Sequence, residues 1–150
     1  MIELGLVYDK VKEFKHKYPK TIAWRVKRHA KVVESFLNPD EIVSFAFAAQ
    51  KNNSNFNFFD TCVIAVTNQR LLIGQKRVTW GYSYGSITPD LYNDLKVEMR
   101  VIYGAIIIDT VKEVVFLSNI QKEGLDDVET AITSFMMKEK RKMRIERNSK

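Results

Sequence analysis

One cysteine, three prolines and two histidines are all that 150 residues contain of the groups that most often staple, kink or catalyse. A lone Cys62 excludes an intramolecular disulfide framework and suits a reducing compartment. The longest unbroken apolar stretch, Val101 to Ile108 with its glycine included, is too short to span a bilayer. The N-terminal residues have no basic leader, no sufficient apolar core and no small-residue cleavage site, so a cytoplasmic location is expected. Without an export signal, the Asn52-Asn53-Ser54 glycosylation match carries no meaning. Gly81 and Gly85 lack the lysine and the serine or threonine of a phosphate-cradling loop. His16 and His29, thirteen residues apart and without partnering Cys or carboxylates, make no metal site, and as isolated surface histidines they have no catalytic partner. No metal and no cofactor is expected.

What is present describes one ordinary domain. Hydrophobic residues are 45% and charged residues 28%, which excludes a disordered tail. A chain of this length buries roughly 70% of its unfolded surface and needs no staple. The net charge of +6 is unevenly placed. The first 31 residues hold nine lysines and arginines against three acids, the middle of the chain is slightly acidic, and the last 40 are basic again. Solvated helix faces account for such charge without any partner, and an anionic partner is the alternative.

Leu4, Val7, Val11, Phe14 and Tyr18 recur at helical spacing, and Pro19 ends that helix. A second helix follows from Ile22 to Leu37, with Thr21 as N-cap, Val26, Ala30, Val33 and Leu37 as its stripe, and Arg25, Lys27, Arg28 and Lys31 opposite. The pair forms a basic amphipathic hairpin whose stripes need cover, either from an exposed sheet edge or from a second copy of the chain. After Asn38-Pro39-Asp40 the period changes to that of strands: Ile42–Ala49, Asp60–Thr67 (apolar on both faces) and Arg70–Lys76. Trp80, Tyr82 and Tyr84 then alternate along one face, which burial preferences assign to the core. Lys96–Ile102 and Ala105–Asp109 flank Tyr103-Gly104, a two-residue hairpin turn with glycine supplying positive φ, and Glu113–Leu117 completes seven strands. That spacing implies a sandwich or a partly open barrel. A third helix, Gln121 to Arg144, has a stripe of Leu125, Val128, Ile132, Phe135 and Met136, with acids at its start and bases at its end as the helix dipole favours.

Residues Val63–Ile73, V-I-A-V-T-N-Q-R-L-L-I, resemble the strand–turn–strand signature of bacterial pleckstrin-homology-like domains, in which Thr67 and Arg70 close a turn. Tyr103–Asp109 is similar to a later hairpin of that family. The resemblance implies an α+β, mostly β fold: a pleckstrin-homology-like barrel of seven antiparallel strands capped by the C-terminal helix. On this view residues 1–39 are an N-terminal two-helix hairpin, 40–145 the barrel with its helix, and 146–150 a frayed tail. The resemblance also implies binding or assembly rather than catalysis, so no enzyme is expected. Phosphoinositide-reading relatives use a lysine late in the first strand and two spaced bases in the second. Lys51 matches the first position, but the second strand opens Asp60-Thr61-Cys62, with an acid where bases are wanted, which argues against gripping an inositol phosphate.

Cys62 lies mid-strand beside Ile64 and Val66, as an inert buried thiol would. The Lys51–Phe59 loop holds Phe56, Phe58 and Phe59, which must pack inward, bury in a partner or enter a membrane interface; packing inward is the simplest expectation. Candidate binding residues are Lys51, Asn55, Phe56 and Phe58 of this loop, Lys76 and Arg77 after the third strand, and Arg25 and Arg28 of the second helix. The leading expectation is a non-catalytic module that binds another protein or a second copy of itself. Anionic membrane attachment through the basic ends and the phenylalanine loop is the alternative. Nucleic-acid binding on the aromatic strand comes third, because its spacing departs from base-stacking motifs.

Overall fold

A computed structural model describes residues 5–53 and 55–149. Leu4 of the first stripe, Ser54 of the sequon and Lys150 of the tail lie outside the described residues. Two helices, α1 (Leu6–Lys17) and α2 (Val26–Ser35), precede strands β1 (Val43–Gln50), β2 (Thr61–Thr67), β3 (Leu71–Lys76), β4 (Tyr82–Ile87), β5 (Tyr92–Met99), β6 (Tyr103–Thr110) and β7 (Val114–Gln121). The chain ends in α3 (Leu125–Asn148). The seven antiparallel strands run in the order β4-β3-β2-β1-β7-β6-β5 and curl into a half-barrel. Its two halves meet at a single pairing, Gln50 opposite Ser118.

The concave face carries the main core, where Leu125, Val128, Ile132 and Met136 of α3 pack with Phe47, Ile64, Leu71, Ile106, Ile108 and Leu117. These α3 positions recur every three to four residues, which lays one apolar stripe into the barrel mouth. After Met136 none of the described α3 residues is buried, so the rest of the helix projects beyond the barrel.

The helical hairpin lies across the outer face of the β1–β3 region rather than along a sheet edge. Val7, Val11, Ala30, Val33 and Leu37 pack there on Ala46, Ala48, Val63, Ala65 and Leu72. Covered by helices on both sides, β2 is buried at all its positions, which accounts for its two-faced apolar run. Gly74 lets α2 approach β3: a Cβ there would meet Val33 Cγ2 at 2.7 Å and Val33 N at 3.1 Å. The first turn of α1 is capped from another element, since Glu34 of α2 accepts hydrogen bonds from the amides of Val7 and Tyr8 at 3.0 and 3.4 Å. At its other end Tyr18 donates to Asp127 of α3 at 2.5 Å, and Lys17 pairs with the same carboxylate at 3.0 Å.

Three local expectations give way to tertiary contacts. Thr21 does not cap α2, because Ile22–Arg25 form a connecting turn and α2 begins at Val26. Arg25 is left-handed (φ 55°), and the Thr21 hydroxyl accepts the Gln121 amide at 3.2 Å. The β5–β6 turn is centred on Val101-Ile102, closed by Arg100 N to Tyr103 O at 3.0 Å. Gly104 instead sits inside β6, where a Cβ would meet Leu125 Cδ1 at 2.4 Å and Glu98 O at 2.6 Å; the glycine serves close packing, not turn geometry. The third concerns the aromatic face: Trp80 and Tyr82 are exposed, while Tyr84 is half-buried and packs against the outer-face core beneath the helical hairpin. Trp80 stands in the β3–β4 turn, and Tyr82 and Tyr84 occupy the outer face of β4, where Phe36 stacks on Tyr84 at 3.8 Å.

The Thr67–Arg70 turn is a structural lock. Thr67 Oγ1 accepts from the amides of Gln69 and Arg70 and lies 2.6 Å from Glu41 Oε2. Arg70 grips both carboxylate oxygens of the buried Glu41 and also donates to the Phe36 carbonyl and the Tyr84 hydroxyl. Burial works to raise the Glu41 pKa, but the Arg70 and Thr67 hydrogen bonds outweigh it and hold the carboxyl below its ordinary value.

Candidate functional site

The loop from Lys51 to Asp60 is held by its amides. Gln50, fully buried at the end of β1, accepts hydrogen bonds at Oε1 from the Asn57 backbone at 3.0 Å and from Asn119 Nδ2 at 2.6 Å. Asn119 adopts a left-handed conformation (φ 59°), which asparagine tolerates better than most residues, and its Nδ2 also donates to the Asn55 carbonyl at 2.9 Å. Ser118 Oγ donates to Asn52 Oδ1 at 2.6 Å, Asn52 Nδ2 donates to Asp60 at 2.9 Å, and Asn57 Oδ1 caps the short 3₁₀ turn Phe58–Asp60. Gln50, Asn52 and Asn119 thus turn inward and fix the loop.

The phenylalanines turn outward. Phe56, Phe58 and Phe59 are 57%, 48% and 62% exposed, contrary to inward packing. The amide network occupies the inner side of the loop, so the rings have only one another and the loop's neighbours. Phe56 meets Phe58 edge-on at 5.4 Å and Tyr103 at 6.4 Å, while Phe59 meets Trp24 edge-on at 5.6 Å. Full burial of such a ring is worth roughly 1.5–3 kcal/mol, much of which the isolated chain forgoes at each position.

Trp24 is the bridge to the basic residues. The Arg25 guanidinium lies 5.2 Å from its ring, and its neighbour His29 accepts the Lys76 amide at Nδ1, 2.8 Å away. Gln75 of β3 donates to the carbonyls of Phe59 and Thr61, drawing the end of β3 to the loop. Arg28 and Lys76 line one cleft with Lys31 and Val32. Far from standing isolated on the surface, His29 is fully buried. Burial first, and the Arg25 charge second, push its pKa down to about 4, so it is neutral at physiological pH.

Two further turns share this end. Arg77–Gly81, closed by Arg77 N to Gly81 O with Gly81 at φ 81°, carries Val78 and an 80% exposed Trp80. The β5–β6 turn, next to Tyr103, presents Val101 and Ile102. Arg25, Lys51, Lys76, Arg77 and Arg100 surround these tips. The acids here have partners: Asp60 accepts from Asn52, and Glu98 lies 3.8 and 3.9 Å from Lys96 and Arg100.

Of the residues singled out from sequence, Arg25, Arg28 and Lys76 gather beside Trp24. Lys51, Phe56 and Phe58 project from the loop, Asn55 contributes its carbonyl to the tether, and Arg77 lies on the neighbouring turn. Trp24 and Phe59 extend the surface, the buried Gln50 and Asn119 hold it from beneath, and none of the four is among the candidate binding residues named from the sequence. Their role depends on contacts 35 to 69 residues apart in the chain, which no local pattern displays. Burial pushes the Cys62 thiol up to about 12, and among the described residues no three His, Cys, Asp or Glu side chains could hold a metal ion.

Residues 37–134 match the family model described as bacterial PH domain. Among solved structures, the chain is similar to a DUF1696 family protein with a pleckstrin-homology domain from Shewanella loihica PV-4, at 16% identity and a TM-score of 0.50, covering 75% of this chain and 93% of that one. It is also similar to a pleckstrin homology domain from Shewanella amazonensis SB2B, at 17% identity and a TM-score of 0.49, covering 73% and 96%. No curated protein matches the chain. At such identity the first of these likenesses speaks to the fold alone.

Proposed function

The chain belongs to the bacterial PH domain family, and from that premise we propose that it is a non-catalytic attachment module that docks the end of its barrel on an anionic membrane surface. The observation that carries the reading is the shared exposure of three apolar turn tips, Phe56–Phe59, Val78–Trp80 and Val101–Ile102, with bases set around them. A bilayer interface rewards this combination twice. Apolar tips leave water at roughly 25 cal/mol per Å², and each base near an anionic surface contributes about 1 kcal/mol. The rigid tether of the long loop lowers the ordering cost of insertion. No described helix is long and apolar enough to cross a membrane, so attachment through the tips would be peripheral. The single buried cysteine supports a reducing compartment, hence the cytoplasmic leaflet.

This reading places the membrane, first held as the alternative, ahead of a protein partner. A protein interface prefers one desolvated aromatic centre with a polar rim, whereas here the apolar groups are spread over three separate tips. The test is sedimentation of the full chain with phosphatidylcholine vesicles, with and without phosphatidylglycerol, at low and high salt, beside a mixed-sequence RNA. Binding should require the anionic lipid, weaken with salt, and fall at least tenfold in the Phe56→Ser, Phe58→Ser, Phe59→Ser variant. Absence of vesicle binding, or stronger capture of RNA, overturns it.

A further inference from the structure

The open sheet has two outer strands, and they differ in how they are guarded. β5 carries Asp94, Lys96 and Glu98, the kind of charge that discourages strand addition. β4 reads Tyr-Ser-Tyr-Gly-Ser-Ile over Tyr82–Ile87 and has no charge and no proline. Its six residues pair with Leu71–Lys76 of β3. Among the described residues no other backbone group is hydrogen-bonded to them, so the far edge keeps its row of free amides and carbonyls.

The core-facing row of β4 is also underfilled. Gly85 lies opposite Ile73, a core residue, yet a Cβ at Gly85 would meet nothing within 4 Å. Ser83 and Gly85 leave a shelf at the barrel mouth that the side chain of an added strand could occupy.

Charge selects the occupant. At the N-terminal end of β4 stand Lys76, which pairs with Tyr82, and Arg77. At the other end Asp90 shares a cleft with Lys140, Arg144 and Arg147 from the projecting part of α3. Bases therefore outnumber acids at both ends of a neutral strand. A second copy laid antiparallel would bring its own Lys76 and Arg77 toward Arg144 and Arg147, which is repulsive.

We propose that the free edge of β4 takes up, as an eighth strand, an extended segment of another protein with an uncharged β-prone centre and acidic flanks. Main-chain hydrogen bonds would supply affinity, the shelf at Gly85 would select a core-facing side chain, and the basic flanks would fix position. This inference shares Lys76 and Arg77 with the membrane reading, but it rests on the free edge of β4 rather than on the turn tips and does not depend on that reading.

The test selects binders to the full chain from a random twelve-residue peptide library. Selected peptides should share uncharged β-branched centres between Asp or Glu residues, and their binding should protect the amides of Tyr82–Ile87 from exchange. Ser83→Lys should weaken them at least tenfold. The exposed pair Arg77→Glu and Arg144→Glu, which leaves the strand itself untouched, should abolish the preference for acidic flanks. Three outcomes overturn the proposal: no enriched peptide, peptides indifferent to both variants, or a self-association of the chain that Ser83→Lys abolishes.

Discussion

The two ends of β2 put polar side chains to opposite uses. At its C-terminal end, Thr67, Arg70 and Glu41 turn their polar groups toward one another and toward Phe36 and Tyr84, leaving Asn68 as the exposed tip of the turn. At its N-terminal end, Gln50, Asn52 and Asn119 also turn inward, to one another's neighbours and to the loop backbone, and the loop's apolar groups are left in water. Both networks are rich in hydrogen bonds, although among the described residues the buried Gln50 Nε2 has no partner, so hydrogen-bond count alone would not tell them apart. What separates them is where the carbon goes: a structural turn buries its apolar surface, and a display loop withholds it. A loop that is ordered and yet keeps three phenylalanines exposed is the better mark of a binding surface than charge.

The sharpest way to break the comparison is at the lock. Arg70→Ala leaves Glu41, whose side chain is fully buried, without its counter-charge. Breaking a buried pair by removing one partner typically costs about 3–5 kcal/mol. Urea unfolding should show a loss of that size at neutral pH. A loss under about 1 kcal/mol would mean that the cluster is not the lock described. Because the folded Glu41 pKa is depressed, its stabilisation is full above the ordinary value of 4.5 and is lost as pH falls through the lowered value.

Acid reaches His29 earlier. Its folded pKa of about 4 lies below the ordinary 6.5, so between those values the unfolded chain binds a proton that the folded chain refuses. Stability should therefore fall as pH drops from 6.5 toward 4, by roughly 3 kcal/mol at most. His29→Gln, which keeps an acceptor for the Lys76 amide, should flatten that slope while leaving the Glu41 transition at lower pH in place. An unchanged slope between pH 6.5 and 4 in the variant would place the proton elsewhere.

These two sites also show what the order of residues makes legible. The strand periods, the closing helix and the Thr67/Arg70 turn are visible locally, because a two-residue or 3.6-residue period and an i,i+3 side-chain contact both fit in a short window. Residues whose reasons are tertiary are not legible in this way. Gly104 looks like a turn glycine until Leu125 is placed above it, and His29 looks exposed until β3 is placed against α2. The exposed phenylalanines are expected to face inward because burial is the usual fate of such rings. Overturning that default requires knowing that Gln50 and Asn119 already fill the space beneath the loop.

The gentlest perturbation is the one that best separates display from lock. Replacing Phe56, Phe58 and Phe59 with serine removes rings that make few contacts within the chain, mainly the edges of Tyr103 and Trp24. Surface substitutions away from core, caps and buried networks usually stay within about 0.5 kcal/mol each. The amide tethers should persist, since none of the three phenylalanine side chains takes part in them. Thermal and urea unfolding of the triple variant should thus lie close to the parent, while binding through this end is lost. If the variant instead unfolded as readily as Arg70→Ala, the rings would be holding the fold together. The two ends of β2 would then differ in exposure but not in role.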